Sequence, residues 1–308
     1  MNSILSGMKK CRSVLFVSLL LLIPSVSMAD AASEAKDIIS KAVDAAGGLV
    51  WEGINTMVVH ESQARNTDTG LLQMELVHYM DTKGRGYRME ISSTQGRKIY
   101  GWGGQQFWAS VDGKPGDEDE VKEAKRLISD AFFRFSLPYI LNGPNAGMEY
   151  AGKDSVNGIE TDSVKITYKG GPVDSYWSAG NSDAADHSAE KPVAMADHAA
   201  GHAGDKHEAK AEDHAKHGEA AGDHHAGNQI YFFHFDKDYR IVKIYFSHHG
   251  DDSYETFLFS DFVTIDGITR EQARTLLRED GSKLYDTKFS QTGFKKETDN
   301  SLYKSPHH

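Results

Sequence analysis

The 308-residue sequence contains a single cysteine, Cys11. It precedes the apolar run at the N-terminus, whereas a lipoprotein signal needs its cysteine directly after that run. If this region is cleaved off, the mature chain has no thiol, which excludes disulfides, thiolate metal sites and cysteine nucleophiles. An excess of positive charge is also lacking, because 34 basic residues face 45 acidic ones and the formal net charge is -11. This balance provides no basic stripe for phosphates and excludes an electrostatic nucleic-acid binder.

Common catalytic motifs are lacking as well. The sequence contains no Gly-x-Ser-x-Gly elbow, and His207-Glu208 is not followed by a histidine at the spacing of zinc proteases. The glycine-rich run Gly101–Gly104 lies between predicted strands and opens no helix, so it has no physical basis for cradling a phosphate. We therefore expect a non-enzymatic protein that requires no cofactor.

The N-terminus has the three-part layout of a secretory signal peptide. Lys9, Lys10 and Arg12 precede the apolar run Val14–Ile23, and Ser27–Ala29 forms a small-x-small cleavage site. The apolar run is too short to span a bilayer comfortably. The sequence thus predicts a signal peptide over residues 1–29, a periplasmic mature protein and no stable membrane span after cleavage.

Hydrophobic periodicity predicts three helices. Ala31–Ala46 carries apolar residues three and four apart and is followed by glycines. A second apolar stripe runs from Val121 to Phe135 and is ended by Pro138. The spacing of Thr269 and Gln272, typical of a capping box, predicts a short third helix over Thr269–Arg278.

Between and after the helices the apolar period changes to two, which predicts short antiparallel strands. Leu72–Met80 and Tyr87–Ile91 alternate in this way, and turn clusters follow each run at short intervals. Further strands are predicted at Met148–Gly152, Thr161–Lys169, Gln229–Phe235, Arg240–Ser247 and Tyr254–Val263. Several of the later strands carry large apolar side chains on both faces, so both faces of the sheet need a cover. Helices provide one cover, and an apolar ligand is a candidate for the other.

Residues 183–228 differ in composition from the rest of the chain. These 46 residues include 14 Ala, 8 His, 10 acidic residues and 4 Lys. They contain too little apolar surface to offset the entropy of ordering, so we expect a disordered, mobile insertion. The predicted organisation is a signal peptide (1–29) and one domain (30–308) that this insertion interrupts.

The insertion is also a candidate metal-binding segment, with divalent ions as partners. His198 and His202 are four residues apart, and His214 and His217 are three apart, so each pair would share one face of a helix. Neutral imidazole binds Zn, Cu and Ni. The candidate ligands are His187, His198, His202, His207, His214, His217, His224 and His225. Their spacing is irregular, which leaves open whether the segment is a loose multi-ion site or a solvated loop with incidental affinity.

Several segments outside the insertion resemble one protein family. A helix ends in Ala46-Gly47-Gly48, Trp51 follows, and Tyr100 and Trp102 lie at one turn of the meander. The other similar segments are Phe135–Leu141, Phe235–Tyr239 and Phe259–Ile268. Together they resemble the LolA-like outer-membrane lipoprotein-sorting proteins over most of the chain. The resemblance implies an α+β fold in which an incomplete antiparallel β-barrel is closed by helices around a hydrophobic cavity that can hold an acyl chain.

A carrier or binding protein for a lipid, a lipoprotein acyl chain or another apolar ligand is therefore the leading hypothesis, and a periplasmic metal-binding or metal-buffering protein is the alternative. Apolar strand residues are the candidate lining of the cavity. They are Met89, Trp102, Trp108, Phe233, Phe235, Ile244, Phe246, Phe257 and Phe259.

The two hypotheses differ in where they place metal affinity. Under the metal-binding hypothesis, the full chain binds Zn, Cu or Ni, and a variant that lacks residues 183–228 loses this affinity because the eight candidate imidazoles are removed. Calorimetric titration of both proteins checks this expectation. Equal affinity in the two proteins would contradict it.

Overall fold

The computed structural model describes residues 28–103, 105–173, 228–247 and 254–307. Within these ranges the fold is mostly β, with few helices. Helix α1 spans Met28–Ala45, the single-turn helix α2 spans Gly48–Glu52, and α3 spans Glu118–Phe135; a short 3-10 helix at Asn300–Tyr303 lies near the C-terminus. The predicted signal peptide lies outside the described residues except for its last two.

Fifteen strands are found in the described part of the chain. They are β1 (Thr56–Thr67), β2 (Gly70–Asp81), β3 (Tyr87–Ser93), β4 (Gly96–Gly103), β5 (Gln106–Val111), β6 (Lys114–Pro115), β7 (Ala146–Val156), β8 (Ile159–Lys169), β9 (Asn228–Phe235), β10 (Ile241–Ser247), β11 (Tyr254–Ser260), β12 (Val263–Ile265), β13 (Ile268–Arg270), β14 (Ala273–Leu277) and β15 (Lys283–Lys295).

Thirteen of these strands form one antiparallel sheet that does not close. Its order is β6-β5-β4-β3-β2-β1-β15-β14-β11-β10-β9-β8-β7, so β6 and β7 are the two edges. Strands β12 and β13 form a separate hairpin. Strands β8 and β9 are hydrogen-bonded neighbours, and Lys169 lies opposite Asn228. The residues that join them, 174–227, contain nearly all of the predicted insertion and lie outside the described residues.

Helices α1 and α3 pack on the same face of the sheet, which we call the inner face. Helix α3 contacts β3, β4 and β5, and α1 contacts β7. Asp117 caps α3, because its side chain accepts a hydrogen bond from the Glu120 backbone N–H. The apolar stripe of α3 is buried, as expected from the sequence, with Ile128 and Phe132 fully excluded from solvent. The first two predicted helices are thus confirmed as α1 and α3, each of which begins three residues before the predicted first residue.

The third predicted helix is wrong. Its residues form the end of β13 and all of β14, which lies between β11 and β15 in the sheet. Arg274 and Leu276 are buried, while the residues on either side of them are partly exposed, so the burial period is two. The Gln272 backbone N–H donates to the Ser260 and Asp261 carbonyls, whereas a capping box would require it to donate to the Thr269 side chain. Hydrogen bonding to two neighbouring strands outweighs the weak local preference for a helix.

The C-terminal 3-10 helix covers part of the outer face of the sheet. The Trp108 indole lies over Gly101, its register partner on β4, and its Nε1 donates to the Tyr303 carbonyl at 2.9 Å. A Cβ atom on Gly101 would approach the Trp108 ring to 2.1 Å, and one on Gly86 would approach the Tyr303 ring to 2.3 Å. Glycine is therefore required where these two rings meet the strands.

Replacing Gly101 should destabilise the fold through this contact. We expect Gly101→Ala to lower the free energy of unfolding by about 1–3 kcal/mol, the usual cost of overpacking. Gly293→Ala in β15 is the matched control, because a Cβ atom there meets nothing within 4 Å. Urea denaturation of the two variants measures the difference. Equal stability of both variants would show that Trp108 moves away at little cost.

Candidate functional site

A cavity of about 480 Å³ lies between the inner face of the sheet and helix α3. Its lining residues come from β1–β5 on one side, from β9–β11, β14 and β15 on the other, and from α3. Strands as far apart in the sheet as β5 and β9 can line one cavity only if the sheet curves around it. The volume lies within the range of about 300–1,000 Å³ that small-molecule sites occupy.

The walls of the cavity are largely apolar. They are formed by aliphatic and aromatic side chains that alternate inward along the strands, together with two residues of α3. These residues are Leu72, Met74, Leu76, Met89, Ile91, Val111, Leu127, Phe133, Tyr231, Ile244, Phe246, Phe257, Leu276, Leu284 and Tyr285. Charged side chains such as Arg65, Arg97 and Arg126 lie toward its exposed rim.

The deep end of the cavity contains a buried hydrogen-bonded chain. His78 on β2 is only 2% exposed; its Nε2 lies 3.1 Å from a carboxylate oxygen of Glu61 and its Nδ1 lies 2.9 Å from the Tyr87 hydroxyl. The Thr287 hydroxyl donates to the other Glu61 oxygen at 3.2 Å. Both ring nitrogens of His78 are therefore engaged, and neither is left to act as a general base on a ligand.

Glu61 remains ionised in this buried position. Burial alone would raise the pKa of its carboxyl group, but the hydrogen bond with His78 and the nearby charges of Arg274 and Arg134 lower the pKa from 4.5 to about 2. A negative charge is thus fixed at the deep end of the cavity.

Three arginines surround this end of the cavity. Arg134 on α3 lines the cavity directly, while Arg270 and Arg274 are 7% and 2% exposed. Arg274 bonds to the buried carboxylate of Glu271 at 2.5 Å and lies 5.0 Å from the centre of the Phe289 ring. Arg270 donates a short hydrogen bond to the Phe135 carbonyl. Arg270 thereby connects α3 to the hairpin β12–β13, and Arg274 on β14 lies 5.6 Å from the centre of the Phe135 ring of α3.

Of the nine residues predicted to line a ligand cavity, four line this one: Met89, Ile244, Phe246 and Phe257. Phe259 lines a second, smaller cavity of about 40 Å³ beside α1. Phe233 and Phe235 share the inner face but are fully buried, and Phe233 packs edge-on against Phe133 of α3.

The two predicted tryptophans do not line the cavity. Trp102 packs on Phe107, and its Nε1 donates to the Gly84 carbonyl at the end of the sheet. Trp108 lies on the outer face, because it is paired with Gly101 rather than with Tyr100 or Trp102. Alternation along a strand places residues 102 and 108 on opposite faces once the register of the hairpin is known.

The sequence predictions missed the polar residues of the site. Glu61 follows Met57 and Val59 at every second position of β1, and Arg134 lies between Phe133 and Phe135 in the apolar stripe of α3. A charged residue at an inward position of an apolar pattern is the signal that could have identified them. His78 was interpreted from the sequence only as a strand-face residue.

The predicted metal ligands all lie outside the described residues. Within residues 28–103, 105–173, 228–247 and 254–307, no group of three or more His, Cys, Asp or Glu side chains is arranged to hold a metal ion. Over the same ranges, none of the helices combines the length and apolar character needed to cross a membrane.

Comparisons with known proteins give structural likenesses only. Neither the known protein-family models nor the curated proteins include a match to this chain.

Solved structures similar to it include an outer-membrane lipoprotein-sorting protein domain from Vibrio parahaemolyticus, with 9% sequence identity over 89% of this chain and 100% of that chain. A LolA superfamily protein from Nitrosomonas europaea also has 9% identity, over 89% of this chain and 99% of that chain. A DUF1329 family protein from Desulfovibrio piger is also similar, with 10% identity over 88% of this chain and 97% of that chain. Each of the three has a TM-score of 0.46. The family that the sequence segments resemble thus appears among these structures, at a similarity that decides neither ligand nor function.

The low pKa of Glu61 should make stability depend on pH. Because the pKa in the folded chain lies below the ordinary 4.5, ionised Glu61 stabilises the fold above pH 4.5, and this contribution is lost as the pH falls toward 2. The free energy of unfolding of the wild-type chain should therefore increase between pH 2 and pH 4.5, and we expect this increase to be smaller in Glu61→Gln. Urea denaturation at a series of pH values measures it. Glu75→Gln, at an exposed position of β2, should keep the slope. An unchanged slope in Glu61→Gln would contradict the assignment.

Proposed function

We propose that this protein is an exported, non-enzymatic carrier or binding protein that holds a lipid, a lipoprotein acyl chain or another apolar ligand in the cavity between its sheet and α3. The observation that carries the proposal is the cavity itself. Its walls are formed by the inward side chains of ten strands, and its volume of about 480 Å³ is left open between the sheet and the helices. The N-terminal pattern of residues 1–29 supports export to the periplasm.

Burial of apolar surface would drive binding at this site. Removing hydrocarbon from water contributes about 25 cal/mol per Å² of apolar area, before the entropic costs of binding. The ligand would contact Met89 of β3 and the neighbouring residues Phe246, Phe257 and Leu276 of the adjacent strands β10, β11 and β14, all of which line the cavity. The engagement of both His78 ring nitrogens by Tyr87 and Glu61 supports a binding role over a catalytic one.

The most direct test is to identify what the protein carries. The protein is exported in a Gram-negative host, purified without detergent, and examined by native mass spectrometry and by organic extraction followed by lipid analysis. A stoichiometric apolar ligand supports the proposal. Protein that is empty and that takes up no long-chain amphiphile when one is added would overturn it.

Filling the cavity should remove this binding. We expect Met74→Trp to weaken ligand binding by about tenfold or more, roughly 1.4 kcal/mol, because the larger side chain occupies the space of the ligand. Leu71→Trp is the matched control on the same strand, since Leu71 is 61% exposed and does not line the cavity. Native mass spectrometry of the two variants measures the occupied fraction. Equal occupancy in both would place the ligand elsewhere.

The alternative role, metal binding or buffering by the His-rich insertion, stays a prediction from the sequence. The metal titration of the full chain and of the deletion variant tests it independently of the cavity.

A further inference from the structure

Arg134 is a charged residue of the cavity that forms no direct ion pair with any described residue. It lies on α3 between two buried phenylalanines, lines the cavity, and places its guanidinium 5.4 Å from the centre of the Phe257 ring. Its Nε is buried and has no hydrogen-bond partner. Among the described residues it also makes no salt bridge, whereas Arg126, two turns earlier on the same helix, bonds to Glu123 at 2.9 Å.

The carboxylates around Arg134 are engaged with other groups. Glu61 is bonded to His78 and Thr287. Glu271 is bonded to Arg274, and Asp130 lies 3.7 Å from Arg126. Glu255, which also lines the cavity, lies on β11 two positions before Phe257 and has an interaction partner of its own.

Arg134 therefore differs from the two arginines near it. Arg270 and Arg274 both pair with Glu271, whereas no described carboxylate lies within salt-bridge distance of Arg134. An unpaired charge away from water is unfavourable, and an opposite charge that arrives with a ligand relieves this cost. Arginine is suited to this role because its planar guanidinium can donate two parallel hydrogen bonds to a carboxylate or a phosphate.

We propose that the cavity binds a single-chain amphiphile with an anionic headgroup, a carboxylate or a phosphate, and that Arg134 binds that headgroup while the hydrocarbon chain lies against the apolar walls. This inference rests on the proposed function and specifies its ligand class. The ionised Glu61 at the same end of the cavity would repel an anion, so the headgroup position is restricted to the guanidinium itself.

The test compares three probes with the same twelve-carbon chain: laurate, dodecyl phosphate and dodecan-1-ol. Their affinities are measured by calorimetry for the wild-type chain, for Arg134→Gln and for Arg278→Gln, a control at an exposed arginine that does not line the cavity. We expect the wild-type chain to bind at least one of the anions about tenfold more tightly than the alcohol. Arg134→Gln should lose this preference and still bind the alcohol as the wild type does, while Arg278→Gln should keep the preference.

The outcomes separate this inference from the proposed function. A preference for laurate alone or for dodecyl phosphate alone supports it and identifies the headgroup as carboxylate or phosphate. Equal binding of all three probes by the wild-type chain would overturn the headgroup assignment and leave the apolar carrier role intact. A preference that persists in Arg134→Gln, or a loss of alcohol binding in that variant, would also overturn it. Failure of the wild-type chain to bind any probe would count against both.

Discussion

The structure depends on how one face of a wide, open sheet is covered. A thirteen-stranded antiparallel sheet presents more inward apolar surface than two eighteen-residue helices can shield. Helix α3 covers β3–β5, α1 covers β7, and the strands between them curve around the remaining space. The cavity is thus a result of the ratio of sheet to helix, and it does not require a special motif. This explains why the chain can form a cavity of about 480 Å³ without any recognisable catalytic or cofactor pattern.

The sequence predicts this architecture well where the pattern is long and poorly where it is short. The alternation in β2 and the apolar stripe of α3 extend over a dozen residues or more, so their type is clear from periodicity alone. The segment Thr269–Arg278 is short, and its leucines fit a helix or a strand equally well. Only its position between β11 and β15 decides for the strand, and that position depends on contacts distant in sequence.

The site residues, too, can be predicted from the sequence only where a local pattern is sufficient. Once parity along a strand is known, Ile244, Phe246 and Phe257 can be assigned to the inner face. Whether an inward residue lines the cavity or packs under a helix depends on where α1 and α3 lie, which no local pattern specifies. Phe233 and Phe257 have the same parity and similar surroundings in the sequence, yet only Phe257 lines the cavity. Glu61 was missed because a charged residue does not fit the apolar alternation of a strand. In the folded chain its carboxylate is stabilised by hydrogen bonds with His78 and Thr287.

The pairing of β8 with β9 has a consequence for the residues between them. Lys169 and Asn228 lie directly opposite each other, so the chain leaves the sheet and returns to it at a single point. The entropic cost of closing a flexible loop at such a point grows only with the logarithm of its length. A long connection between β8 and β9 therefore costs the fold little more free energy than a short one, so the sheet can form without any contribution from the histidines and alanines of this connection.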